Sequence, residues 1–222
     1  MGYSHKLKAY HPSFTFQSLY IHDFADALKL ISEGKQEVVC TTRFTDSYIF
    51  KMQTSQPDLV KVSPVLRALL HNQIIEIEYV SRSSGVTKRQ IIPHSIIQTG
   101  VFSYIRAFDR LSGEFRTFKL NRIKYSVFCK DEILIHELKE SDSDWNQDVE
   151  LLIVPNGDSE NAISYDYGIV DGEMRQRLKK PLILYYLMDY NIAPIDSPNL
   201  PPLLFPLRVQ SITELPSENQ NE

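Results

Sequence analysis

QIIEIEYVS, residues 73–81, opens a run of five segments whose reading decides the fold. Ile75, Ile77 and Tyr79 fall on one face and Glu76 and Glu78 on the other, the two-residue period of a half-buried strand. VTKRQIIPHSIIQ (86–98), VFSYIRAFD (101–109), EFRTFKL (114–120) and NRIKYSVF (121–128) follow. Turn residues lie between several of them: Arg82-Ser83-Ser84-Gly85, Thr99-Gly100 and Leu111-Ser112-Gly113. Five short strands punctuated in this way predict a small, strongly bent sheet or barrel. Proline has no N–H to give a ladder, so Pro93 predicts a bent or edge strand over 86–98. On the strand 101–109, Phe102, Tyr104, Arg106 and Phe108 share a face.

Upstream of this run, Val62-Ser63-Pro64 reads as a helix start, with Ser63 as N-cap and Pro64 at the first helical position, leading into VLRALLHN (65–72). Residues 20–34, YIHDFADALKLISEG, have helical periodicity, and EVVCTTRF (37–44) and SYIFKMQ (47–53) lean toward strand. Downstream, residues 137–150 carry six carboxylates against Lys139 alone and read as a solvated linker. VELLIVP (149–155) reads as a buried strand and ENAISYDYG (160–168) as helical. RLKKPLILYYLMDYNI (177–192) reads as a second helix with Leu182, Tyr185, Tyr186 and Met188 inward. Five prolines mark 194–206 as a loop, and RVQSITEL (208–215) returns as a strand. The expected organisation is α+β: a connector over 1–62, the barrel over 63–130, and a C-terminal α/β extension over 146–215.

The composition narrows the function. With 42% hydrophobic residues the chain can build a core, and a net charge of −4 argues against a surface that coats nucleic acid throughout. Cys40 and Cys129 are far apart, which fits a reducing cytoplasm rather than a disulfide framework. No Cys/His cluster has zinc-ligand spacing, no apolar run is long enough to span a bilayer, and no nucleophile or phosphate-loop motif occurs. No enzyme activity, cofactor or metal is therefore expected.

Charge is concentrated in the barrel segment. Between 82 and 124 there are nine basic side chains, opposed only by Asp109 and Glu114. Tyr79, Phe102, Tyr104, Phe108, Phe115, Phe118 and Tyr125 lie among or beside them. Arginines next to aromatic faces suit phosphates and stacked bases. A solvated charged face over a packed aromatic core is the competing structural reading.

Three stretches, LLHNQIIEIEYVS (69–81), IIPHSIIQTGVFSYIRAFD (91–109) and FRTFKLNRI (115–123), resemble in order and spacing the WYL domain of bacterial transcription regulators. DWNQDVELLIVP (144–155) and RLKKPLILYYLMDYNI (177–192) resemble the C-terminal extension of the same regulators, which supports dimerisation in relatives that guard phage-defence operons. The tripeptide that names the family stands here as Ser103-Tyr104-Ile105, with Ser103 at the tryptophan position. The resemblance implies a small SH3/Sm-like barrel and a ligand pocket from Tyr79, His94, Ser95, Tyr104, Arg106, Arg116 and Arg122. In it, Arg106 and Arg116 would hold a phosphate or another anion. For His94 the structural alternative is a packed ring bracing Pro93. For Arg122 it is an ion pair with Glu78 or Asp109, and for Tyr79 and Tyr104 it is core packing.

Such regulators carry a winged helix-turn-helix before the WYL domain, and residues 1–62 do not read as one; YHPSF (10–14) looks like the connector that follows it. The expectation is thus a sensor that forms a homodimer, binds an anionic small molecule or nucleic acid, and reaches DNA only through a domain absent from this chain. The alternative is a free-standing module that grips single-stranded nucleic acid.

Overall fold

The computed structural model describes residues 2–5, 8–11, 57–157, 160–197 and 199–216. Packing divides the chain into two units, 1–53 and 54–222. In the first, β1 (Gly2–Ser4) and β2 (Ala9–His11) pair antiparallel with Tyr3 opposite Tyr10. The helix expected over 20–34 and the strands expected over 37–53 lie outside the described residues.

The second unit contains two sheets with a few short helices, an α+β arrangement dominated by strands. It opens with α1 (Leu59–Leu70), which starts five residues before the position the sequence suggested. The cap is Asp58, whose carboxylate accepts from the Val60 N–H at 3.0 Å, and Pro64 lies inside the helix. The β-branched run around Val60 and Val62 hides this start, because such residues lean away from helix. Asp58 supplies what a helix N-terminus needs: a side-chain acceptor and a negative charge.

The first sheet has the order β6-β5-β4-β3-β7, built from β3 (Ile75–Ser81), β4 (Gly85–Gln98), β5 (Ser103–Asp109), β6 (Glu114–Lys119) and β7 (Ile123–Phe128). All its pairings are antiparallel. The expected alternation of β3 holds, with Ile75, Ile77 and Tyr79 buried. β4 is long and shared: residues 85–91 pair with β3 and residues 91–98 with β5. Pro93 therefore sits just past the end of β3, where its missing N–H faces no partner strand. A bulge between Pro93 and Ser95 bends the strand there, and the sheet curls into a half-barrel. Inside the curl, Val62, Val65 and Ala68 of α1 pack on Ile75, Ile77, Ile91, Ile105, Ala107 and Phe118. A smaller cluster of Ile74, Ile92 and Phe108 lies apart from this core, with Phe115, Cys129 and Ile133 against it.

The second sheet has the order β10-β11-β8-β9, from β8 (Asp148–Pro155), β9 (Met174–Lys179), β10 (Ile192–Ala193) and β11 (Leu207–Glu214). Two helices, α3 (Glu160–Tyr167) and α4 (Ile183–Asp189), follow β8 and β9. Val149, Leu151 and Ile153 of β8 share a core with Ile163 and Leu187. The single helix expected over 177–192 is thus corrected. Its first residues belong to β9, where Leu178 supports the core while Arg177 and Lys179 pair across to Glu150 and Asp148. Pro181 stands in the 3-10 turn that separates strand from helix. Leu187 rather than Met188 is the buried residue of α4, and Met188 is exposed.

The stretch between the sheets holds two 3-10 turns, Ile135–Glu137 and Lys139–Ser141, and the one-turn helix α2 (Ser143–Asn146). It is not the solvated linker that its composition suggested. Glu137 and Asp142 are buried, each against an arginine of the first sheet.

Candidate ligand site

β-sheet pairing decides which of the expected site residues meet. Arg106 stands opposite Thr117 and Ala107 opposite Arg116, so Arg106 and Arg116 project from opposite faces of the β5–β6 pair. The sheet does not bring them together on one anion. Two separate constellations result.

The first lies where Tyr79 and Phe118 reach the end of the inner core. A cavity of about 190 Å³ is lined there by Tyr79, Ser81, Arg82, Arg89, Arg116, Thr117, Phe118 and Arg122. Tyr79 and Phe118 meet edge to face at 5.1 Å, and the Tyr79 hydroxyl accepts from the Lys119 N–H at 3.0 Å. That leaves the Tyr79 O–H proton free to donate. Arg89 is held in place by the wholly buried Asp109 and by its own Nε–H donating to Thr87 Oγ1 at 2.9 Å. Arg116 pairs at 2.9 Å with Glu114, an exposed contact that water screens. Arg82 and Arg122 have no ion pair with any described residue. Asp109 is engaged by Arg89 and Glu78 by Lys124, so neither serves as the structural partner considered for Arg122. At the rim, the Lys119 ammonium lies 3.2 Å from the centre of the Phe102 ring. Burial and the charges of Arg122 and Arg82 push its pKa below the ordinary lysine value. Five cations thus gather around an aromatic floor against the carboxylates of Asp109 and Glu114, and the net positive excess attracts anions.

The second constellation contains His94, Ser95 and Arg106. The bulge in β4 puts His94 and Ser95 on adjacent positions facing β5. Arg106 donates to Asp142 through Nε at 2.8 Å and Nη2 at 2.9 Å, a bidentate pair with both partners buried. His94 lies 3.1 Å from the same carboxylate through Nε2 and 2.9 Å from Ser95 Oγ through Nδ1. Burial lowers the His94 pKa, and Asp142 only partly offsets this. A neutral ring then donates Nε2–H to Asp142 and accepts the Ser95 O–H at Nδ1. Trp145 meets the His94 ring at 5.5 Å. Tyr104, also buried, packs at 4.7 Å on Tyr185 of α4.

Of the expected residues, Tyr79, Arg116 and Arg122 share the cavity, while His94, Ser95 and Arg106 form a charge-matched cluster around Asp142. Tyr104 faces α4. Arg82, Arg89 and Lys119 were missed as members of the site. The β3–β4 pairing of Ile77 with Arg89 was the available signal, since it places Arg89 on the inner face beside Tyr79.

Acidification should destabilise this second constellation. Burial alone would raise the Asp142 carboxyl, but the Arg106 hydrogen bonds, the Trp145 N–H and the Arg106 charge outweigh it and hold the pKa below the ordinary 3.8. Glu137 is likewise held below 4.5 by Arg110 and the Leu134 N–H despite burial. For both acids the unfolded chain binds protons more readily, so their stabilisation is present above the unfolded pKa and lost as pH falls through the folded one. His94 has the same sign: its contribution is full above the unfolded value of 6.5 and declines below it. Urea midpoints should therefore fall from pH 7 to pH 5 and fall further below pH 4. In His94→Gln the first decline should shrink. A flat profile over both windows would contradict the assignment.

The WYL domain family profile matches residues 61–126, from α1 to β7. This chain carries a WYL domain. The chain is 28% identical over 148 residues to the DNA-binding transcriptional repressor CapW of Escherichia coli strain KTE188, covering 64% of this chain and 48% of that protein. It is 27% identical over 136 residues to CapW of Pseudomonas aeruginosa, covering 59% and 44%. The chain thus spans about half the length of the curated relatives it matches. Among solved structures, the proteasome accessory factor PafBC of Arthrobacter aurescens aligns with 53% of this chain and 20% of its own, at 14% identity and a TM-score of 0.33. That likeness is too slight to bear on the fold. Among the described residues, no helix is long and apolar enough to cross a membrane, and no cluster of His, Cys, Asp and Glu has the makings of a metal site.

Proposed function

We propose that this chain is the ligand-sensing and dimerising part of a WYL-type transcription regulator, and that its effector is an anion of the nucleotide or short-oligonucleotide class. The cavity of Arg82, Arg89, Arg116 and Arg122 over Tyr79 and Phe118 is the observation that carries this reading. Guanidinium groups bind phosphate in bidentate fashion and aromatic faces stack bases. At about 190 Å³ the cavity is smaller than the roughly 300–1,000 Å³ that encloses a drug-sized ligand. It fits one phosphate-bearing portion of a ligand and leaves the rest along the rim at Phe102 and Lys119.

On this reading the curled sheet is the small SH3/Sm-like barrel of the regulator, residues 63–130, and residues 146–215 are its dimerisation domain. Residues 1–62 are the connector. The protein works in the cytoplasm of a bacterium, on a phage-defence operon. DNA binding, which the printed name gives to the CapW relatives, comes to this chain only with a DNA-reading helix pair; among the described residues none is present. The second reading, a module that grips single strands, is favoured by the open rim, where Lys119 and Phe102 continue the site outward.

Titration with nucleoside diphosphates and 5′-phosphorylated tetrathymidylate, at two salt concentrations, tests both. Stoichiometric binding of the small ligand supports the sensor. Length-dependent binding that collapses with salt supports the module. Arg122→Gln should weaken either mode by about 10- to 100-fold, since a charged hydrogen bond contributes about 1.5–3 kcal/mol. Unchanged affinity in Arg116→Gln/Arg122→Gln would remove the cavity from both readings.

A further inference from the structure

Two arginines, Arg106 within the motif strand β5 and Arg110 just past its end, are matched by carboxylates from one short segment. Arg106 takes Asp142 through two nitrogens, and Arg110 takes Glu137 through Nε at 2.6 Å and Nη2 at 2.8 Å. Each pair has the forked geometry in which guanidinium also binds phosphate. The segment that delivers these carboxylates has few apolar anchors. Leu134 and Ile135 are 52% and 84% exposed, and its turns are three and four residues long. What fixes it to the sheet is the two charge pairs, with ring contacts of Trp145 on His94 and of His136 on Phe108 and the packing of Ile133 beside them. Arg106 lies on the face of the β5–β6 pair opposite Arg116, but β6 is the edge strand of the sheet and Thr117, the cross-strand partner of Arg106, lines the cationic cavity, so the two sites meet around that edge.

We propose that Asp142 is an internal competitor for anions at Arg106: the 137–146 segment is an autoinhibitory strap, and a phosphate-bearing ligand seated in the adjoining cavity takes Asp142's place. The proposal rests on the reading of the cavity as an anion site. A second phosphate of a ligand held by Arg122 would reach Arg106 around the β6 edge at Thr117. It carries more charge than a carboxylate and fits the same fork. Displacing Asp142 would also undo the cap it gives α2, where its Oδ1 accepts from the Trp145 N–H at 3.2 Å. β8, the central partner of β9 and β11, begins only at Asp148, so a freed strap would loosen the tether between the two sheets. Ligand binding in the first sheet would thereby change the placement of the second.

Trp145 is the only tryptophan of the chain and reports on the strap directly. The experiment uses the full chain with inorganic pyrophosphate and with 5′-phosphorylated tetrathymidylate as probes. Saturating probe should shift wild-type Trp145 emission to the red and speed amide exchange over 137–146. Asp142→Asn, which keeps the shape but drops the charge, should bind the probes at least tenfold more tightly than wild type. If Asp142→Asn folds poorly, the exchange and emission changes in wild type decide the matter alone. Probe binding that is lost in Arg122→Gln, with Trp145 and the strap unchanged and no gain in Asp142→Asn, would overturn the strap and leave the cavity standing. No binding of either probe by either protein would overturn both.

Discussion

Arg106→Ala will lower the stability of the fold by about 3–5 kcal/mol, the cost of leaving one member of a buried ion pair without its partner. Asp142 is 1% exposed and has no water to turn to once the guanidinium is gone. His94 compensates only in part, because it offers one neutral N–H where Arg106 offers two charged ones. Urea denaturation followed by far-UV circular dichroism measures the loss. The double variant Arg106→Met/Asp142→Leu should recover much of it, since replacing both charges removes the desolvation cost together with the attraction. A midpoint in Arg106→Ala equal to wild type would mean that the pair contributes nothing net.

Asp109→Ala should cost a comparable amount, again about 3–5 kcal/mol, but for a wider reason. Asp109 is wholly buried and serves two masters. It neutralises Arg89, and it ties the β5–β6 turn by accepting from the Leu111 N–H at 3.1 Å and from Ser112 Oγ at 3.0 Å. Asp109→Asn keeps acceptors for the turn while dropping the charge, so its loss should be clearly smaller. The same variants report on the cavity. With Asp109 gone, Arg89 is no longer held on the inner face, and anion affinity should fall even in protein that remains folded. Equal stability of Asp109→Ala and wild type in urea would refute the account.

The local features of the fold were legible because they depend on neighbours in sequence. The two-residue period of Ile75, Ile77 and Tyr79 names the buried face of β3, and the Gly113 turn closes β5 onto β6, with Gly113 at φ +71°. Pro93 foretold the bend in β4. What the sequence hid is pairing at a distance. Asp142 lies 36 residues from Arg106 and Glu137 lies 27 from Arg110, so an acidic run that reads as solvent-facing proves to hold buried countercharges. An excess of positive charge counted along 82–124 therefore overstates the field, and only part of it remains for a ligand. Arg106 was read as a ligand residue because of its place in the motif strand. Its side chain takes a carboxylate of its own chain, Asp142, a pairing that no local pattern signals. Arg89 went unnoticed for the opposite reason, since it lies on a hairpin arm whose facing is fixed by cross-strand register rather than by any motif, and Arg82 stands in the turn that joins β3 to β4.

The sharing of β4 between two hairpins bears on how the molecule acquires its structure. β3, β4 and β5 each pair with the next strand along the chain, so their ladders need only short loops to close. β7 alone returns across the whole meander to pair with β3, residue 123 with residue 79. Loop closure disfavours that step until the earlier strands are aligned. The order of events is then a zipper from β3 to β6, followed by docking of β7 and α1 to seal the inner core. Substitutions in β7 will act mainly on the rate of unfolding, and those in the middle of β4 mainly on the rate of folding.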